Sequence, residues 1–108
     1  MRNNFQITVE GRREGPVCEK AMEGLGKMLP RNFVVLAKNQ MQFKDFMDVI
    51  GRTPMDAVFA DQRDKVLGLK DPVVVQIGNY FEADNFVEVA KELETRGRLT
   101  NITVTDWR

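Results

Sequence analysis

Four segments of the chain have the residue patterns of β-strands, and their order relative to the helical segments constrains the fold more than any other feature. Residues 5–10 alternate between apolar and polar side chains, which is typical of a strand with one buried face. Residues 33–37 and 73–77 are continuous or nearly continuous apolar runs, and residues 99–105 are rich in β-branched side chains. Strands separated by helices can be connected in few ways, so this spacing limits the topologies to be considered.

Three segments between these strands are predicted to be helices. Residues 16–29 carry apolar side chains at helical spacing, and Pro16 suits the first helical position because its missing N–H would have no partner there. Residues 39–50 begin with a capping-box spacing and continue with Met and Phe at helical intervals. Residues 86–96 form a third helix that ends before Gly97.

Residues 53–69 have an ambiguous pattern. Thr53 and Pro54 resemble a capped helix start, whereas residues 57–60 and 65–69 have the composition of two strands that pair as a hairpin. The helix is the preferred interpretation. Together with the helix before it, this segment forms an insert at about residues 39–70.

The element order β-α-β-insert-β-α-β predicts an α+β fold of the ferredoxin-like βαββαβ type, a two-layer sandwich whose two main helices cover one face of an antiparallel sheet. The alternative is a three-layer α/β fold with a mixed or mostly parallel sheet, in which the insert supplies helices to the other face. Polar alternation in the first and last strands favours the sandwich, and the apolar run at residues 34–36 favours three layers. A single domain is expected over residues 1–108. The open face of the sandwich is predicted to carry Gln6, Thr8, Gln76, Thr103 and Thr105.

The composition argues against several functional classes. The chain has 108 residues, with 16 Lys and Arg against 16 Asp and Glu, so it lacks the positive surplus that nonspecific binding to nucleic acid or anionic membrane requires. It has no histidine, the commonest general base and nitrogen ligand for metals. Carboxylate pairs and glycine-rich segments match no catalytic or nucleotide-binding motif. We therefore expect no catalytic residues, no metal, no cofactor and no enzymatic activity.

Cys18 is the only cysteine, so it cannot form a disulfide within the chain. Its place near the start of a helix would lower the pKa of the thiol, but a small buried hydrophobe is the preferred interpretation. No segment approaches the roughly 18 apolar residues of a membrane span, and the amino terminus lacks the apolar run of a signal peptide. We expect a cytoplasmic protein with no membrane partner.

The first candidate binding surface lies where two loops meet. In the ferredoxin-like arrangement, the strands at residues 5–10 and 73–77 are parallel neighbours, so the loops that follow them emerge at the same edge of the sheet. The predicted result is a surface that combines Arg12 and Arg13 with Asn79, Tyr80 and Phe81. Guanidinium donors beside aromatic rings suit a small anionic or planar ligand, or an acidic loop of a partner protein.

The second candidate surface is the Met- and Phe-rich helix of the insert. Phe43, Phe46 and Met47 repeat at helical spacing, and Met adapts readily to varied binding partners. Two interpretations stay open at this point. The stripe either packs into the core or docks on another protein.

The predicted function is that of a small non-catalytic protein-binding domain, a regulator, adaptor or inhibitor whose partner is another protein or its own copy in a homo-oligomer. Residues 1–54 hold nine Lys and Arg against six Asp and Glu, and residues 55–108 hold seven against ten, a polarity that suits oriented docking. One alternative is a βαββαβ regulatory domain that senses a small ligand. Another is nucleic-acid binding through the open face and the Arg12 and Arg13 loop, which is not favoured because the middle strands lack aromatic stacking residues.

Overall fold

The computed structural model describes residues 5–10 and 16–105, and side chains over residues 22–104. Within these residues, five strands form one sheet in the order β1-β5-β4-β2-β3, and every neighbouring pair is parallel. In chain order the elements are β1 (Phe5–Glu10), α1 (Pro16–Met28), β2 (Phe33–Leu36), α2 (Gln40–Val49), the 3-10 turn η1 (Pro54–Asp56), β3 (Ala57–Phe59), the 3-10 turn η2 (Arg63–Val66), β4 (Val73–Ile77), the 3-10 turn η3 (Tyr80–Glu82), α3 (Phe86–Glu94) and β5 (Thr100–Thr105).

The mixture of helices and strands is as predicted, but the ferredoxin-like antiparallel sheet is wrong. β1 pairs with β5 rather than with β4, so the two strands predicted to be neighbours are separated by one strand. The physical reason lies in the central strands. Val34 and Val35 of β2 and Val74 and Val75 of β4 are fully buried, because the sheet is covered on both faces there. Continuous apolar strands of this kind are typical of parallel sheets.

Helices cover the two faces of the sheet unequally. On one face, α1 and α2 form a continuous core against the strands; its buried members are Met22, Leu25, Leu29, Phe33, Val35, Ala37, Phe43, Phe46, Met47, Ile50, Val75, Ile77, Ile102 and Val104. On the other face, α3 and η2 form a smaller core with β2 and β4; its buried members are Val34, Leu36, Ala60, Val66, Val74, Val89, Leu93 and Leu99. The insert is therefore divided, since α2 lies on the first face and η2 on the second.

The direction of each connection explains which face each element covers. Parallel strands are joined almost always by right-handed crossovers, so connections that run in opposite directions along the sheet place their helices on opposite faces. The connections from β1 to β2 and from β2 to β3 run toward the β3 edge, and α1 and α2 share a face. The connections from β3 to β4 and from β4 to β5 run the other way, and η2 and α3 share the opposite face.

Residues 53–69 form neither the predicted helix nor the hairpin. Residues 57–59 instead become β3, which pairs in parallel with β2 at the edge of the sheet. This position stacks the Phe59 ring on Phe43 of α2, with ring centroids 4.9 Å apart and planes 7° from parallel. A local hairpin would also satisfy the backbone hydrogen bonds of this segment, but the edge of β2 adds the stacking of Phe59 on Phe43.

Two residues fix the contact between α1 and the end of α2. Gly26 lies so close to Ile50 that a Cβ on it would come within 2.1 Å of the Ile50 carbonyl oxygen. Arg52 Nη1 donates hydrogen bonds to the carbonyl oxygens of Gly26 (2.7 Å) and Leu29 (2.9 Å), and its Nε pairs with Asp56 at 3.2 Å. These bonds satisfy carbonyl groups that the end of a helix leaves without partners.

Candidate functional site

The chain leaves the carboxyl ends of β2 and β4 in opposite directions. β2 leads into α2 on one face, whereas β4 leads through η3 into α3 on the other. The two strands are neighbours, with Leu36 opposite Gln76. In open parallel sheets, the crevice outside two strands that diverge in this way is the usual place for ligand binding.

Four polar residues form a closed set of contacts across this crevice, which we call the edge ring: Lys38, Gln42, Asn79 and Glu82. Three contacts join side chains, and the fourth is donated by the Lys38 backbone N–H to Gln42. Gln42 Nε2 donates a hydrogen bond to Asn79 Oδ1 at 3.1 Å, which joins the chain after β2 to the chain after β4. Asn79 Nδ2 donates to Glu82, and Lys38 Nζ lies 3.9 Å from Glu82 Oε2. The edge ring holds the crevice in one geometry and leaves the two charged side chains about half exposed.

The start of α2 positions Gln42 within the edge ring. Asn39 caps the helix, and its Oδ1 accepts a hydrogen bond from the Gln42 backbone N–H at 3.0 Å. Gln42 Oε1 in turn accepts a hydrogen bond from the Lys38 backbone N–H at 3.2 Å. In a standard capping box the donor would be the backbone N–H of the capping residue itself, Asn39. The spacing of Asn39 and Gln42 therefore serves both to start the helix and to orient a side chain of the candidate site.

An aromatic cluster adjoins the edge ring. Tyr80 contacts Phe81 and Phe86 edge-to-face, with ring centroids 5.5 Å apart in both pairs. Phe86 packs against the buried core of the α3 face, so the cluster is attached to the body of the protein. The Phe81 side chain is nevertheless 60% exposed. We call the edge ring together with Tyr80 and Phe81 the β4 edge surface.

The residues of the first predicted surface are not all brought together. Asn79, Tyr80 and Phe81 lie at the carboxyl edge of the sheet, as the loop after β4 requires. Arg12 and Arg13 lie outside the described residues. They follow β1, whose carboxyl end is at the same edge but is separated from β4 by β5. Two strand spacings, or about 10 Å, separate the two strands that were expected to be adjacent.

The residues of the second predicted surface are part of the core. Phe43 is 5% exposed, and Phe46 and Met47 are fully buried between α2 and the sheet. α2 presents this stripe to the sheet because its right-handed connection carries the helix over the strands. A partner cannot reach these side chains while α2 is packed, so the core interpretation applies and the docking interpretation does not.

A groove on the α3 face forms a second candidate site. It is an open groove of about 390 Å³ between η2 and the start of α3, and its lining side chains are all exposed; we call it the α3 groove, and it is lined by Gln62, Arg63, Asp64, Leu67, Asn85 and Glu88. Two hydrogen bonds join its walls. Asn85 Nδ2 donates to the Asp61 carbonyl oxygen at 3.0 Å, and Arg63 Nε donates to Glu92 Oε1 at 2.8 Å.

Glu92 is the buried acidic residue that holds Arg63. Its carboxylate accepts hydrogen bonds from Arg63 and from Thr95 Oγ1 (2.9 Å), and it forms an ion pair with Arg96 at 2.6 Å. The hydrogen bond from Arg63 is the main cause that lowers the pKa of Glu92 below its ordinary value, followed by the bond from Thr95, while burial acts in the opposite direction. Glu92 therefore stays ionised at neutral pH and fixes the Arg63 guanidinium at the α3 groove.

Part of the α3 face carries a row of polar residues. Thr103 Oγ1 donates to Gln76 Oε1 at 3.0 Å, and the register places Thr103 opposite both Gln76 and Thr8. Gln76 and Thr103 are partly exposed. Two of the residues predicted for an open face, Gln76 and Thr103, thus lie side by side on β4 and β5, in a parallel sheet rather than an antiparallel one.

Sequence reasoning missed Lys38, Gln42, Glu82, Arg63 and Glu92 as candidate site residues. A prediction in which residues 33–37 and 73–77 are strands of a parallel sheet would have indicated Lys38 and Glu82. In parallel sheets, the residues that contact ligands follow the carboxyl ends of the strands. Glu92 had a local signal. It lies three residues after Val89 and next to Leu93 on the apolar stripe of α3, where an acidic side chain needs a partner.

Comparison with protein-family models, with curated proteins and with solved structures gives no match. Over the described residues, no helix is long and apolar enough to cross a membrane. In the same part of the chain, no three His, Cys, Asp or Glu side chains are grouped closely enough to hold a metal ion. Function is therefore inferred from the geometry of the β4 edge surface and the α3 groove.

Proposed function

We propose that this chain is a non-catalytic protein-binding domain, a regulator, adaptor or inhibitor, and that it contacts its partner through the β4 edge surface. The observation that carries the proposal is the Phe81 ring, which is 60% exposed and makes an edge-to-face contact with Tyr80. An aromatic side chain has only two rotatable bonds, so it loses little side-chain entropy for the area that it buries on binding. Large aromatic side chains of this kind are enriched among the residues that dominate protein–protein affinity.

The edge ring beside Phe81 favours a protein partner over an apolar small molecule. Lys38 and Glu82 are half exposed and carry opposite charges; Asn79 donates a hydrogen bond to Glu82, and Gln42 accepts one from the Lys38 backbone N–H. Protein interfaces commonly place such polar groups around an apolar centre. A partner loop that covers Phe81 with an apolar side chain can offer an acceptor to Lys38 and a donor to Glu82, which would make the contact specific.

The contacts within the edge ring support binding rather than catalysis. Gln42 and Asn79 hydrogen-bond each other, and the two charged groups pair across the ring. General acid–base catalysis needs a titratable group aimed at a reacting atom with a pKa near the working pH. The edge ring offers amide groups and one ion pair instead, which suit recognition.

The test compares two exposed apolar residues at opposite ends of the sheet. Phe81→Ser removes the centre of the β4 edge surface. Met55→Ser is the matched control, because Met55 is 91% exposed in η1, just before the amino end of β3. Each tagged variant is purified from the native host with and without nuclease, and the mass of the complex is measured. We expect Phe81→Ser to weaken the complex by about 30-fold, which corresponds to about 2 kcal/mol at an interface centre.

The proposal requires the same complex to survive both nuclease and Met55→Ser but not Phe81→Ser. A complex whose mass is a multiple of this chain alone identifies a second copy as the partner. Equal retention by both variants, equal loss by both, or loss on nuclease treatment contradicts binding of a protein through the β4 edge surface.

A further inference from the structure

The geometry points to a second binding site, separate from the β4 edge surface, in which the α3 groove takes a free α-amino acid. The groove is open to solvent, and its volume of about 390 Å³ leaves space for a ligand the size of an amino acid. Its lining combines one guanidinium, two carboxylates, two amides and one apolar side chain. This composition allows a ligand that carries both a negative and a positive charge to be held by complementary groups.

The guanidinium of Arg63 is the anchor for the ligand carboxylate. Only its Nε is used by Glu92, and no hydrogen bond joins its two terminal nitrogens to another described residue. Glu92 is itself held by Thr95 and Arg96, so the guanidinium is oriented before any ligand arrives. An oriented guanidinium binds a carboxylate with two parallel hydrogen bonds and loses little rotamer freedom in doing so.

Asp64 and Glu88 provide the opposite charge. Both line the groove and neither forms an ion pair with another described residue, because Arg63 pairs with Glu92 instead. Their carboxylates disfavour a phosphate or another multiply charged anion through like-charge repulsion. The Arg63 guanidinium likewise disfavours a simple amine. A zwitterion with one carboxylate and one ammonium satisfies both signs of charge.

The walls of the groove are fixed by the core and by the bond from Asn85 to Asp61. Val66 of η2 and Val89 of α3 are fully buried in the same core cluster, which sets the distance between the two elements. Gln62 adds an amide for hydrogen bonding, and Leu67, 50% exposed, offers an apolar surface for the side chain of the ligand. The two elements that line the groove are therefore held at a fixed separation before binding, which reduces the entropy that binding would cost.

The experiment titrates the isotope-labelled full chain with each standard amino acid and follows backbone amide chemical shifts by NMR. We expect at least one amino acid to bind below about 10 mM and to shift the signals of Asn85 and Glu88. The deamino and decarboxy analogues of the tightest ligand are then tested; for leucine these are isocaproate and isoamylamine. Each analogue should bind at least about tenfold more weakly, since each lacks one of the charged contacts.

Two variants locate the site. Arg63→Gln and Glu88→Gln each replace an exposed charged side chain of the groove by a neutral one, and both should reduce affinity about tenfold. Arg63→Lys should recover part of the loss. Arg98→Gln is the control, because Arg98 is exposed at the amino edge of the sheet, just before β5.

Circular dichroism confirms that each variant folds, and Glu88→Gln remains informative if Arg63→Gln disturbs Glu92. Three results overturn the inference: no amino acid binds, an analogue with a single charge binds as tightly as the amino acid, or the groove variants bind as well as Arg98→Gln. None of these results bears on the complex that depends on Phe81.

Discussion

Two glycines in α1 are expected to respond in opposite ways to the same substitution. Gly24 and Gly26 lie two residues apart in one helix, so replacement by alanine offers each the same gain in helix propensity, about 1 kcal/mol. Their surroundings differ. A Cβ on Gly24 would meet nothing within 4 Å, whereas a Cβ on Gly26 would lie 2.1 Å from the Ile50 carbonyl oxygen.

The structure gives the size of both effects. Gly24→Ala should raise the free energy of unfolding by about 1 kcal/mol, because it adds helix propensity without a clash. Gly26→Ala forces α1 away from backbone atoms at the end of α2, and overpacking of this kind costs about 1–3 kcal/mol. The displacement also stretches the hydrogen bonds from Arg52 to Gly26 and Leu29, each contributing about 1 kcal/mol. After the propensity gain, Gly26→Ala should destabilise the protein by about 2 kcal/mol.

Urea denaturation followed by circular dichroism measures both variants against the natural sequence. For a typical slope of about 1.5 kcal/mol per molar urea, the midpoints of the two variants should differ by about 2 M, with Gly24→Ala above the natural protein and Gly26→Ala below it. If both midpoints move in the same direction by similar amounts, the close contact between α1 and α2 does not exist.

Three further predictions concern the interior. Arg52→Met should lower the free energy of unfolding by about 2 kcal/mol in the same urea assay, because the carbonyl oxygens of Gly26 and Leu29 lose their donor. The control Arg31→Met, on the exposed surface, should change the free energy of unfolding little. Phe46→Ala should cost about 3–5 kcal/mol and reduce helix content, since Phe46 is fully buried; selective loss of a partner from a fully folded variant would contradict its core position. Because the folded-state pKa of Glu92 is depressed, its stabilising contribution is present above its ordinary value of 4.5 and lost as the pH falls through the lower folded-state pKa. Glu92→Gln should reduce the loss of stability between neutral and acidic pH, and an unchanged pH profile would exclude this contribution.

The positions of the strands followed from local patterns, because alternation and apolar runs depend on what each strand buries. Residues 5–10 and 73–77 are strands with the predicted bounds, and β2 differs from its predicted range only by the loss of Ala37. The insert was less predictable. Residues 57–59 are too short to show a period, and they become a strand only because β2 offers a free edge and Phe43 offers a stacking surface.

The strand order could not be predicted from the same patterns. Polar alternation in a strand arises both in an antiparallel sheet with one open face and in a parallel sheet that helices cover only in part. Polar alternation in the first and last strands was interpreted as the open face of an antiparallel sheet. Five strands span about 24 Å, however, and one helix about 10 Å across covers roughly two of them. On the α3 face, α3 and η2 pack on β2 and β4, so the strands beyond them carry polar residues such as Thr103. Incomplete coverage of a parallel sheet thus produces the alternation that suggested an antiparallel one.

Both candidate sites lie near the amino end of α3. The connection from β4 must cross to the face opposite α2, and the short segment that makes this crossing, residues 78–85, supplies Asn79, Tyr80 and Phe81. Where the crossing ends, Phe86 supports Tyr80 through an aromatic contact, and the neighbouring Asn85 joins the α3 groove to Asp61. Adjacent residues therefore hold two chemically different surfaces, an aromatic edge with a polar ring and a charged groove. Because each surface has its own fixed support, the exposed side chains of one can be substituted without removing the contacts that orient the other.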